Sequence, residues 1–118
     1  MQRMLPILST LPDVDNAPDE LVAHCKTGHE AIQLCVQLSH FSHEAICERL
    51  GIDKGHWSRI MQGRAHFPTD KRISLMRLCG NRAPLQYEAH ELGLDLVEHD
   101  REDLIRTLQA RVDRLEAA

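Results

Sequence analysis

The stretch Ser42–Gly63 reads SHEAICERLGIDKGHWSRIMQG, and its punctuation decides the fold. Ser42 stands just ahead of an amphipathic run, where its hydroxyl accepts from an unpaired first-turn N–H. Glu44 follows at the positive end of the helix dipole. Ile46, Cys47 and Leu50 fall on one face at helical spacing. Gly51 supplies the residue that turns with φ > 0, and Ile52 plugs the turn into the core. Asp53 caps a second helix, Lys54 to Gln62, with Trp57, Ile60 and Met61 as its apolar positions. Gly63 ends it. The spacing predicts two short capped helices joined by a tight turn.

The flanking sequence extends this pattern. Thr27 is the expected cap of a helix over His29–His40, with Ala31, Ile32, Leu34, Cys35 and Leu38 as its apolar stripe. Asp19–Cys25 has the length of a turn or two of helix. Pro68-Thr69-Asp70 opens a helix to Cys79, with Ile73, Met76 and Leu78 or Cys79 inward, and Gly80 stops it. Pro84 begins another, to about Leu92, stopped by Gly93. Leu94–Val97 reads either as an extended link or as a strand-like contact. Long Val/Ile/Thr alternation is largely absent, so the expected class is all-α: about five compact helices plus a C-terminal amphipathic helix. The expected division is an N-terminal flexible arm over 1–18, with a short packed segment around Leu5–Leu8. A helical domain over 19–93 and a C-terminal segment over 94–118 follow it.

That last segment is charged and helical from Asp100. Ile105, Leu108, Val112 and Leu115 lie at a and d positions across two heptads. β-branched residues at a with Leu at d suit a parallel two-stranded coil, and Arg111 and Glu116 then occupy g and e. The same stripe packed on its own domain is the alternative.

With 118 residues, 42% of them hydrophobic, the chain has material for one small domain with an aliphatic core. No apolar run is long enough for a membrane span. Pro6 and Pro12 break the apolar part of the N-terminus, so no signal peptide is expected, and a cytoplasmic location follows as the default. The four cysteines, Cys25, Cys35, Cys47 and Cys79, form no C-x-x-C pair and are expected as free thiols. His24, Cys25, His29 and Cys35 lack a paired ligand knuckle. The acidic cluster Glu98, Asp100, Glu102 and Asp103 suits a helix start. No metal and no cofactor are expected. Neither a nucleophile elbow, a phosphate-cradling glycine loop nor a paired catalytic carboxylate occurs, so no enzyme is expected.

Charge is unevenly placed. Between Lys54 and Arg82 seven cations face Asp70 alone, a net +6, so the total of −4 leaves −10 elsewhere. A local basic face on an acidic body is the footprint of a site-specific nucleic-acid binder, although a solvated basic face has the same count. An α-helix that reads DNA must enter a major groove about 12 Å wide, N-terminal residues toward the base edges, held by a first helix across it. Ser42–Gly63 meets these requirements in order.

The stretch resembles the helix-turn-helix of phage Cro and lambda-repressor type regulators, the XRE-like family. The similar residues are Ile46-Cys47, where a small residue is usual, Leu50-Gly51-Ile52, Ser58-Arg59-Ile60 and Gly63. Three positions depart from the pattern. His43 stands where the family often has a glutamine touching phosphate. Gly55 lowers helix propensity early in the second helix by about 1 kcal/mol relative to Ala. Trp57 fills a slot usually aliphatic, and its spacing to Ile60 and Met61 makes it a core anchor.

By position, Lys54, His56, Ser58 and Arg59 are the expected base-reading set, with Lys54 and Arg59 able to donate to guanine O6 and N7. His43, Gln62, Arg64, Lys71 and Arg72 are the expected phosphate clamps, which set register without reading sequence. Arg77 and Arg82 are peripheral. The resemblance implies a transcriptional repressor of phage or plasmid type, acting on double-stranded DNA as a homodimer. Two alternatives stand beside it. One is a protein-interaction module on the same fold, such as an antitoxin or an inhibitor of a host defence complex, working through its acidic remainder. The other is an architectural binder with little sequence preference. Only some 25 residues follow Gly93, too few for a small-molecule effector domain.

Overall fold

Gly51 has φ +68°, and the chain reverses there in the way its sequence demands. The Gly51 N–H reaches Glu48 O at 3.2 Å and the Ile52 N–H reaches Cys47 O at 2.9 Å. These two bonds make a Schellman closure, sealed by burial of Ile52 beside Cys47. Gly63, at φ +78°, ends the next helix in the same way, with Arg64 N–H to Arg59 O at 2.8 Å. A Cβ on Gly51 would touch only Lys71 Nζ, at 3.8 Å. Gly51→Ala is therefore expected to cost backbone strain alone, about 1–2 kcal/mol, read as a lower denaturation midpoint with an unchanged m-value.

The computed structural model describes residues 14–117. The packed segment expected at Leu5–Leu8 lies outside them. Among the described residues seven helices follow in order: α1 Asp19–Ala23, α2 Gly28–Gln37, α3 His43–Leu50, α4 Lys54–Met61, α5 Arg72–Cys79, α6 Ala83–Glu91 and α7 Arg101–Ala117. A 3₁₀ turn, Thr69–Lys71, leads into α5. The described residues contain no strand, so the class is all-α, and residues 94–97 carry none either.

Side-chain caps start the helices where the sequence places them. Thr27 Oγ1 accepts from Glu30 N–H and Ser42 Oγ from Ala45 N–H, both at 3.1 Å. Asp53 Oδ2 accepts from both Gly55 and His56 N–H, at 3.1 and 3.3 Å. Each such cap contributes about 1 kcal/mol.

The chain divides into two units, the first spanning residues 12–96. Its core is aliphatic: Val22, Ile32, Val36, Ile46, Leu50, Ile52, Ile60 and Leu75, with Cys35, Cys47 and Cys79 as small thiol fillers and Trp57 as the one large ring. Phe67 meets Trp57 edge to face at 6.5 Å between ring centroids. In α2 the stripe is Ala31, Ile32, Cys35 and Val36, while Leu34 and Leu38 are only half-buried.

In α5 the inward face differs from expectation. Leu75 and Cys79 are buried, whereas Ile73 is 62% exposed and Met76 and Leu78 sit at the margin. On the helical wheel Leu75 and Cys79 lie about 40° apart with Met76 and Leu78 on either side, so apolar residues surround much of α5 and the face centred on Leu75 leaves Ile73 on the far side.

Residues 14–18, expected in the flexible arm, are tied to the α5–α6 junction. Asp15 N–H donates to Gly80 O and Arg82 N–H to Asp15 O, both at 3.1 Å. Arg82 also holds Val14 O and Asn16 Oδ1. Gln86, 1% exposed on α6, bonds both backbone groups of Ala17, donating from Nε2 to the carbonyl at 2.9 Å and accepting the N–H at 2.7 Å.

The second unit contains α7. Asp100 Oδ1 caps it by accepting Asp103 N–H at 2.7 Å, and that backbone N–H holds the Asp100 carboxyl below the usual carboxylate range. No residue of α7 is fully buried.

Candidate nucleic-acid interface

α4 has two chemically opposite faces. Trp57 and Ile60 are buried and Met61 is half-buried, which fixes the helix by one side. Lys54, Gly55, Ser58, Arg59 and Gln62 are exposed. At about 100° per residue these positions form one contiguous outward arc. Three of the four expected base readers, Lys54, Ser58 and Arg59, lie on it. His56 does not: it is half-buried at the edge, because its position lies beside Ile60 on the helical wheel.

Gln62, expected as a phosphate clamp, instead sits within the arc. It caps the C-terminus of α4 and donates from Nε2 to Ser58 Oγ at 3.1 Å. The outward row thus offers an ammonium, a hydroxyl, an amide and a guanidinium.

Lys54 Nζ pairs with Glu44 Oε1 across the two helices at 2.8 Å. The hydrogen bond raises the Lys54 amine above its ordinary range and lowers the Glu44 carboxyl below its own. Both groups are well exposed, so the pair contributes little stability and exchanges easily for another anion. Arg59 has no ion-pair partner among the described residues. Its Nη1 lies 3.7 Å from where a Gly55 Cβ would stand, so the guanidinium folds back along the helix toward its N-terminus. The closer neighbour of that Cβ would be Asp53 Oδ2, at 3.2 Å, so what Gly55 leaves room for is the capping carboxylate.

The expected phosphate clamps divide. Arg64 is exposed just beyond α4, without a partner among the described residues. His43 is exposed at the first turn of α3, with its Nδ1 accepting the Trp57 indole N–H at 3.1 Å. Lys71 and Arg72 are engaged within the fold. Lys71 Nζ donates to Leu50 O at 2.7 Å and so neutralises the negative end of α3. Arg72 pairs with Glu88 on α6. Both are half-buried by these contacts, which explains why a count of cations overstates the outward positive charge.

One further cation escaped the sequence: Arg49, exposed at the end of α3, lies over the Phe41 ring at 5.7 Å. No local pattern marks such a stack. Elsewhere, His24 and Cys25 bond back to the Glu20 and Leu21 carbonyls. A cleft of about 620 Å³ opens between the start of α2 and the loop after α4, and its His29 ring lies close against Gly63.

Of the expected dimerisation residues on α7, Ile105, Val112 and Leu115 are exposed and Leu108 is half-buried. Among the described residues no helix is long and apolar enough to cross a membrane. Comparison of the chain with protein-family models, with curated proteins and with solved structures finds no match.

Proposed function

We propose that this chain is a sequence-specific binder of double-stranded DNA, a helix-turn-helix regulator of the XRE-like kind. The observation that carries the reading is the outward arc of α4, with Lys54, Ser58, Arg59 and Gln62 exposed on a helix anchored by Trp57 and Ile60. Eight residues make a rod about 12 Å long, short enough to lie within the major groove. Lys54, Ser58, Arg59 and Gln62 meet base edges. His43 and Arg64 flank them on phosphates and set the register.

A cytoplasmic repressor of phage or plasmid type is the biological form this reading takes. Dimerisation through Ile105, Leu108, Val112 and Leu115 gives a two-fold complex with its α4 helices about 34–36 Å apart. Selection of bound duplexes from a random pool tests class and symmetry together. A palindromic consensus with half-sites one duplex turn apart is expected. A bound pool without any preferred sequence overturns the proposal.

A protein partner is the second reading, favoured by Leu85 and Leu92, seven residues apart on one side of α6, and by Leu94 beyond it, all exposed. It predicts that charged substitutions there change function while leaving duplex binding intact.

A further inference from the structure

Two of the three departures from the helix-turn-helix pattern, His43 and Trp57, are bonded to each other. The Trp57 indole N–H donates to His43 Nδ1 at 3.1 Å, and the two rings meet edge to face at 5.9 Å between centroids. Indole nitrogen only donates, so His43 Nδ1 is the acceptor and its proton resides on Nε2. Phe67 backs Trp57 from the core, and Ser42 caps the helix one residue before His43. The ring is therefore held by an anchored donor, with Nε2–H on the opposite side of the imidazole.

We infer that Trp57 is a positioning residue: it fixes His43 as the Nε2–H tautomer, so that a neutral imidazole donates one hydrogen bond to a DNA phosphate at the first turn of α3. The inference rests on the proposed DNA-binding reading and names one contact within it. A glutamine carries its own N–H to a phosphate. A neutral histidine at the same place has a donor there only in one tautomer and one ring orientation, and Trp57 supplies both. Being uncharged, the contact adds affinity without releasing a counterion, unlike one made by Arg64.

The test has two arms. In the protein without DNA, long-range 15N–1H correlation of the His43 ring above neutral pH should show a protonated Nε2 and an unprotonated Nδ1. Trp57→Phe keeps a ring against Phe67 but removes the N–H, and should return His43 to a mixture of tautomers. Protonated Nδ1 in the wild type overturns the inference.

In the second arm, duplex titrations compare wild type, Trp57→Phe, His43→Ala, the double variant and His43→Gln in both Trp57 backgrounds. Ordering one side chain in advance is worth about 2- to 12-fold in affinity, which is the expected loss for Trp57→Phe. The loss should be equal on preferred and random duplexes. It should vanish in the His43→Ala and His43→Gln backgrounds. His43→Ala should leave the salt slope unchanged. Equal losses in all backgrounds, with melting curves showing each variant folded, overturn the Trp57–His43 coupling and leave DNA binding standing. Failure of the folded wild type to bind any duplex overturns the phosphate contact and the DNA reading together.

Discussion

Arg59→Ala is expected to weaken binding to the selected duplex about 5- to 150-fold, the loss of one good bidentate base contact. The side chain is exposed on the outward arc of α4, and its guanidinium lies back over Gly55, toward the N-terminal end of the helix. Among the described residues its guanidinium has no hydrogen-bond or ion-pair partner, so the variant should keep its denaturation midpoint. On random duplexes the loss should be small, and a fresh selection with the variant should show relaxed preference at one base pair per half-site. Arg64→Ala is the control. It lies beyond the helix, and its loss should be uniform across sequences with a salt slope reduced by about one. If Arg59→Ala also weakens all duplexes equally, Arg59 is a phosphate clamp and base readout lies elsewhere on the arc. Lys54→Ala should cost less than Arg59→Ala, because the ammonium is a point charge that must first leave Glu44.

The parts of this fold that rest on neighbours in sequence were legible in it. Ser42, Gly51, Asp53 and Gly63 act on backbone groups within five residues, and each cap or turn forms as its residue type requires. The buried faces of α3 and α4 were legible for the same reason, since a period of 3.6 needs only the helix's own register. In α5 the register was lost. Apolar residues stand on more than one side of Arg72–Cys79, so its period admits more than one inward face, and the pattern puts Ile73 inward where Leu75 belongs.

The candidate site divides along the same line. That Lys54, Ser58 and Arg59 share a face follows from helix geometry alone. The fates of Lys71 and Arg72 depend on Leu50 and Glu88, 21 and 16 residues away, and no composition count reports such distances. The bond between His43 and Trp57 spans 14 residues and two helices. Read singly, each residue was an exception to a pattern; paired, they form one device.

Gln86 is the sharpest case of a residue invisible to pattern, and its removal is expected to have the largest effect on stability. A glutamine in a surface-like position of a short helix reads as solvent-facing, yet it is 1% exposed and satisfies both the N–H and the carbonyl of Ala17, itself 4% exposed. Gln86→Leu keeps much of the volume and offers neither donor nor acceptor. Each orphaned buried backbone group costs about 1–3 kcal/mol, so the pair amounts to about 2–6 kcal/mol. A domain of this size has about 4–12 kcal/mol in all. The chain has one way to reduce the cost, which is to undock residues 14–18 and let water meet Ala17. The remaining ties of that segment, Asp15 to Gly80 and Arg82, oppose this. Denaturation followed by Trp57 fluorescence should therefore show a midpoint far below the wild type. Hydrogen exchange at the Ala17 amide should accelerate more than exchange in α4. Gln86→Glu separates the two bonds at a pH where its carboxyl is ionised: it retains an acceptor for the Ala17 N–H but offers the carbonyl no donor, and its buried carboxylate should make it no more stable there than Gln86→Leu. A loss below about 1 kcal/mol for Gln86→Leu, with Ala17 exchange unchanged, would mean that the two backbone groups find other partners and that Gln86 does not anchor this segment.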